Sequence, residues 1–158
     1  MTTVRRFDYL DALRGYAILS VIVVHASQYF GTDSSPAAAQ FLSQGARGVQ
    51  LFFVVSALTL SMSWFARNES SSAFYIRRLF RIAPMLWLAI AFFVALKGLG
   101  PRPYAPEGIA FRHIAMTALF LHGLAPDTIT SVVPGSWSVA DEAIFYAIFP
   151  ILVPLLVK

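Results

Sequence analysis

The sequence predicts an all-α fold: a polytopic membrane helical bundle with four or five transmembrane segments. Three observations predict it. Hydrophobic residues make up 58% of the 158 positions and charged residues only 13%, against roughly 25% charged in an average soluble chain. Apolar runs approaching the roughly 20 residues needed to cross a bilayer recur along the chain. The stretches between them are short, polar and rich in proline, glycine or arginine. Disorder is excluded, because it requires low hydrophobicity.

The first segment runs from about Ala12 to Phe30. Arg5 and Arg6 would also suit the charged start of a signal peptide, but Asp8, Asp11 and Arg14 interrupt the approach to the apolar run, so a retained span is expected. Gly31 to Arg47 reads as a Ser/Ala/Gln loop. The second segment runs from about Gly48 to Ala66, and its Ser56, Thr59, Ser61 and Ser63 read as small residues for close helix contact. Arg67 to Phe80 reads as a loop carrying a basic cluster. The third segment runs from about Ala83 to Leu99, and Gly100 to Gly108 follows it with Pro101, Pro103 and Pro106.

The fourth segment, Ile109 to Leu124, carries Arg112, His113 and His122, and its uninterrupted apolar core is only Ile114 to Leu121. So short a core is common in re-entrant or interfacial segments. Taken alone it is expected to span, with Arg112 and His113 snorkelling at one end. After the polar stretch Ala125 to Ser136 comes a fifth segment, about Ala143 to Val157, which Pro150 and Pro154 should bend.

Seven of the twelve Lys and Arg residues fall before or within the start of the first span (Arg5, Arg6, Arg14) or after the second (Arg67, Arg77, Arg78, Arg81). Basic residues accumulate on the cytoplasmic side, so the N-terminus is expected inside, with Arg47, Lys97, Arg102 and Arg112 at or near the outer face. The net charge of +4 reads as topology. Its basic residues sit at the ends of apolar runs and form no continuous face for nucleic acid. The chain has no cysteine, which removes disulfides, thiolate metal sites and a cysteine nucleophile. No metal site is expected.

Arg14 and His25 are eleven residues apart, about three helical turns, so both project from one face about 16 Å apart along the axis. Ionisable groups inside a span normally face the bundle interior or a watery cavity, which reads as a polar track along the first helix. The plainer reading is that Arg14 snorkels and His25 hydrogen-bonds a neighbouring helix. Glu142 begins a face with Phe145, Tyr146 and Phe149 at spacings of three, four and seven. That face would present a carboxylate and a phenol to the interior. The plainer reading has Ser136 or Ser138 capping the helix, with Asp141 and Glu142 in its first turn. Arg77, Arg78 and Arg81 serve either as positive-inside anchors or as guanidinium forks for phosphate.

Four pieces, in order, carry a resemblance. They are Phe7-Asp8-Tyr9-Leu10-Asp11-Ala12-Leu13-Arg14-Gly15 with His25 eleven positions after Arg14; Gly48-Val49-Gln50-Leu51-Phe52-Phe53-Val54-Val55-Ser56; Arg77-Arg78-Leu79-Phe80-Arg81-Ile82-Ala83-Pro84; and Ser136-Trp137-Ser138-Val139 followed by Glu142, Phe145 and Tyr146. Together they resemble acyltransferase family 3, integral-membrane O-acyltransferases that decorate bacterial surface glycans and related molecules. Ala57 stands where that family usually has glycine. Family members carry about ten spans, so the resemblance implies that residues 1–158 are the N-terminal part of such a domain.

The resemblance implies transfer of an acyl group, usually acetyl, from cytoplasmic acyl-CoA to a hydroxyl of an exported glycan or related acceptor. Acyl-CoA is then a co-substrate, with no bound cofactor. It further implies His25 as general base or transient acyl carrier and Glu142 as the carboxylate that orients and balances it. Arg14 would stabilise anionic charge, and Arg77, Arg78 and Arg81 would hold CoA phosphates. Trp137, Ser138 and Tyr146 join them as substrate-binding residues. A His25–Glu142 pairing requires a fourth segment that does not span, because His25 lies nearer the outer face. The implied partners are the lipid bilayer, acyl-CoA, the acceptor, and either a second copy or a C-terminal half. The implied location is a bacterial inner membrane. Without the resemblance, the Arg14–His25 track would equally suit a small transporter or channel subunit, and an inactive fragment is a third reading.

Overall fold

The computed structural model describes residues 7–30, 35–67 and 70–156. Among them every regular element is helical, apart from an isolated bridge between Arg102 and Ala105. This is the expected all-α class. The chain forms two compact units, Met1–Glu69 and Ser70–Lys158.

In the first unit, α1 spans Asp8–Phe30, 23 residues or about 35 Å. The stretch read as a loop instead contains a helix, α2, over Pro36–Ser43. Ser35 caps it, accepting from the Ala38 amide at 3.4 Å, and Pro36 occupies its first turn, where a missing N–H costs nothing. A 3-10 turn over Gln44–Arg47 carries the run into α3, Gly48–Arg67. Hydropathy missed α2 because its cap and proline are turn-forming residues as well as helix starters.

Leu10, Ala17 and Val24 recur every seven residues along α1 and are buried, as are Val55 and Leu60 of α3. Two glycines set the approach of these helices. A Cβ on Gly45 would lie 2.5 Å from the Ser20 carbonyl oxygen, and one on Gly48 would lie 2.5 Å from that of Ala17. Backbones therefore meet directly, as small residues permit between membrane helices. The same contacts set the 3-10 turn beside the middle of α1. Arg47, expected at an outer face, thus stands halfway along a membrane-length helix, because α2 folds the chain back along α1 first.

In the second unit, α4 runs over Ser71–Lys97, 27 residues, and begins twelve positions before the expected third span. The Ser70 hydroxyl accepts from the Ala73 amide at 3.4 Å, and Gly98 ends the helix at φ 65°, a conformation that glycine adopts freely. Arg77, Arg78 and Arg81 are therefore helical, not in a loop. Charge ends a hydropathy window but not a hydrogen-bonded helix.

The fourth segment forms only α5, Phe111–Ala118, and a 3-10 turn, His122–Leu124. Eight residues rise about 12 Å, far short of a roughly 30 Å hydrocarbon core, so the expected full span is corrected. Phe120 at φ 61° breaks the helix, being in a region that non-glycine residues seldom enter. Arg112 does not snorkel; it pairs with Asp127. His113 accepts from the Ala110 amide through Nδ1 at 2.9 Å, and its Nε2 lies 3.5 Å from the Asp127 carboxylate.

The polar stretch after α5 is packed inside this unit. His122, Thr128, Ser131 and Ser136 are buried, and the Thr128 hydroxyl donates to the His122 carbonyl at 2.8 Å. Val132 and Val133 join Leu86, Ile90, Ala105 and Ile109 in one apolar cluster. Helix α6 spans Trp137–Leu156 and continues through Pro150 and Pro154. The Ser136 and Ser138 hydroxyls donate to the Ile129 and Gly135 carbonyls, at 3.4 and 3.3 Å, so they satisfy the preceding loop instead of capping the helix. Because α6 starts at Trp137, Asp141 and Glu142 lie in its second turn, not its first.

Three stretches, Asp8–Ser27, Pro36–Ala66 and Ser71–Lys97, are long and apolar enough to cross a membrane. Helix α6 adds a further 20 residues.

Candidate functional site

The second unit brings three of the candidate residues together. Glu142 and Tyr146 are one turn apart on α6, and the Tyr146 hydroxyl donates to Glu142 Oε1. Tyr146 is only 5% exposed. The Arg78 guanidinium of α4 sits over the Tyr146 ring at 5.3 Å and over the Phe74 ring, one turn earlier on α4, at 5.6 Å. Phe74 meets Tyr146 edge-on at 6.1 Å and stacks on Phe149 at 5.5 Å, and Phe145 also lies 5.5 Å from Phe149. The Tyr75 hydroxyl donates to the Ala147 carbonyl at 2.9 Å, which fixes α4 against α6 beside the cluster.

The face expected from the three, four and seven spacing is therefore present, and it is backed by aromatic rings. Cation–π contact holds a guanidinium by its flat surface and leaves its N–H edge able to meet an acceptor. Arg77 and Arg81 are exposed within one turn of Arg78. Three guanidiniums within about 6 Å of helix can engage a multiply charged anion. Trp137 and Ser138 lie in the first turn of α6, one turn ahead of Glu142.

The first unit holds the other two. Arg14 is half-buried; it donates through Nη1 to Asp11 at 3.2 Å and through Nη2 to the Thr59 hydroxyl. Thr59 in turn donates to the Val55 carbonyl at 2.9 Å. Arg14 Nε and the nearby Ser56 hydroxyl are buried without a partner among the described residues. Buried unpaired polar atoms are uncommon, and these two leave unmet hydrogen-bonding capacity beside the charge. His25 is exposed three turns further along α1.

Sequence reasoning missed Thr59, which it assigned to packing, and Phe74. A signal for Phe74 existed in its spacing of four from Arg78. None existed for Thr59, whose partner is 45 residues away. His122 was read only as a polar residue of the fourth segment, with no role. It is fully buried, with Nε2 3.0 Å from the Ser136 carbonyl at the entrance to α6.

Comparison with known proteins identifies the family. The family model described as an acyltransferase domain matches residues 7–158. Protein 2 in the picA locus of Rhizobium radiobacter is 30% identical over 91% of this chain and 81% of its own length. The exopolysaccharide production protein ExoZ of Rhizobium meliloti (strain 1021) is 31% identical over 66% of this chain and 33% of its own length. The acyltransferase MdmB of Streptomyces mycarofaciens is 28% identical over 92% of this chain and 39% of its own length. The chain thus spans a third to two fifths of the latter two relatives. No solved structure matches. With the family model covering nearly the whole chain and the motif residues of α4 and α6 gathered in one cluster, the chain belongs to acyltransferase family 3.

Proposed function

We propose that this chain acts in a membrane O-acyltransferase that moves an acyl group, acetyl in the simplest case, from acyl-CoA to a hydroxyl of a cell-surface glycan. The family match over residues 7–158 is the observation that carries this reading. A relative named for exopolysaccharide production supports the glycan acceptor.

In the proposed reaction the acceptor oxygen attacks the thioester carbonyl. A carbon–oxygen bond forms, the carbon–sulfur bond breaks, and the acceptor proton passes to CoA thiolate by way of a base. An alcohol is too weak an acid to attack unaided at neutral pH. An imidazole, with an unperturbed pKa of about 6.5, suits the task of removing its proton in the transition state. His25 takes that role, and Arg14 stabilises developing negative charge. Arg77, Arg78 and Arg81 bind the donor phosphates, since guanidinium forks match phosphate oxygens. Glu142, which accepts from the Tyr146 hydroxyl, serves as a catalytic carboxylate, and Trp137 and Ser138 bind substrate. The positive-inside distribution supports a bacterial inner-membrane protein with its N-terminus in the cytoplasm.

The experiment is transfer of labelled acetyl from acetyl-CoA to exopolysaccharide in membranes that carry the chain. The reading expects base-labile label on the glycan, lost in His25→Ala. Label that is independent of the chain would overturn it.

A further inference from the structure

His122 is a buried histidine that the acyl-transfer reading leaves without a task. It sits fully buried in the 3-10 turn 122–124, with Nε2 3.0 Å from the Ser136 carbonyl oxygen. A carbonyl oxygen only accepts, so Nε2 carries the proton and donates. The same carbonyl accepts from the Val139 amide at 2.9 Å and the Ala140 amide at 3.2 Å. It is therefore the acceptor on which the first turn of α6 is built. The backbone around His122 is held as well. The Thr128 hydroxyl donates to the His122 carbonyl at 2.8 Å, and a Cβ on Gly123 would lie 2.8 Å from that of Ala140.

His122 Nδ1 is buried without a partner among the described residues. An apolar side chain of similar size would fill this space with no unmet atom, and Ser136 would keep its two amide donors. Packing therefore does not call for histidine here, whereas the Nε2–H donor does. That donor reaches the residue directly before Trp137 and Ser138. Trp137 is 38% exposed, and the Ser138 hydroxyl, donating to the Gly135 carbonyl at 3.3 Å, keeps its lone pairs open. An indole face beside a hydroxyl acceptor matches the apolar face and hydroxyl groups of a sugar ring. Nine residues, about 13 Å of helix, separate Trp137 from Tyr146, over which the Arg78 guanidinium sits. The first turn of α6 is thus set apart from the basic residues assigned to donor phosphates.

We propose that His122 is a positioning residue for acceptor binding: its Nε2–H on the Ser136 carbonyl sets the first turn of α6 so that Trp137 and Ser138 meet the glycan. This role rests on the acyl-transfer reading.

Acetyl transfer from acetyl-CoA to exopolysaccharide fragments, in membranes carrying the full chain, tests it with three substitutions. His122→Gln places an amide donor near the position of Nε2. The amide of His122→Asn is too short to reach Ser136, and His122→Leu fills the space with no donor. The Gln chain keeps the acceptor KM within about twofold of wild type; the Asn and Leu chains raise it at least ~threefold, because apparent affinity falls with the fraction of chains in the competent geometry. Throughout, kcat and the acetyl-CoA KM stay within about twofold, as loss of acceptor binding alone requires. Amide hydrogen exchange in detergent reads the bond without any activity: residues 137–140 exchange faster in the Asn and Leu chains and at the wild-type rate in the Gln chain. An acceptor KM unchanged in the Asn and Leu chains would overturn the proposal. So would a Gln chain as impaired as the Leu chain, or a change confined to kcat or to the acetyl-CoA KM. Wild-type transfer with exchange unchanged in all three variants would overturn this role alone. Faster exchange in the Asn and Leu chains, with no transfer by the wild-type chain, would overturn the acyl-transfer reading and this role with it.

Discussion

Replacing Tyr146 by Phe removes one hydroxyl and leaves the ring. The edge contact with Phe74 and the guanidinium contact with Arg78 survive, while Glu142 loses the side-chain donor that the structure gives it. A hydrogen bond to a charged group is worth about 1.5–3 kcal/mol in soluble proteins. Bonds between membrane helices average nearer ~0.6 kcal/mol, with a maximum of about 1.7. This bond lies within one helix, joins a carboxylate and is nearly buried, so about 1.5 kcal/mol is expected. Tyr146→Leu deletes the ring as well. It should cost at least ~1 kcal/mol more, the combined scale of an aromatic pair and a cation–π contact. Equilibrium unfolding in detergent reads both losses, and a double-mutant cycle with Glu142→Ala isolates the hydroxyl–carboxylate coupling. Acyl transfer should fall as well in Tyr146→Phe, because Glu142 loses the donor that holds it in place. The reasoning fails if Tyr146→Phe matches the wild-type chain in both assays, or if Phe and Leu at this position are equivalent.

Two further outcomes follow from the packing. Gly48→Ala pushes a Cβ to 2.5 Å from the Ala17 carbonyl oxygen and should destabilise the contact of α1 with α3 by about 1–3 kcal/mol, as overpacking generally does; detergent unfolding of the variant measures it. Arg112→Ala removes an ion pair whose side chains are 58% and 48% exposed. Its cost should stay within ~1 kcal/mol, and a drop of several kcal/mol in the same unfolding assay would show that the pair holds α5 in place.

The sequence made the apolar helices legible because hydropathy reports directly on what a bilayer tolerates. It also revealed the Glu142, Phe145, Tyr146 and Phe149 face, since that spacing can only converge on a helix. Four features were hidden for physical reasons. The start of α4 lies in charged residues, where hydrogen bonding at the Ser70 cap outweighs polarity. Helix α2 hides behind a serine and a proline that mark turns as readily as helix starts. The fourth segment looked long because apolar residues continue beyond Ala118, yet the helix ends there; Phe120 packs against the cluster of Val132 and Val133 while Leu119 and Leu121 stay exposed. The Arg14–Thr59 contact depends on how two helices cross, which no local pattern encodes.

Release of CoA thiol from acetyl-CoA in membranes carrying this chain most directly tests the claim that His25 removes the acceptor's proton. The chain contains no cysteine, so it adds no thiol of its own to the signal. The account predicts acceptor-dependent thiol release that falls at least ~100-fold in His25→Ala, the lower bound for losing a general base, while helical content measured by circular dichroism is unchanged. Undiminished release in a folded His25→Ala chain would contradict it.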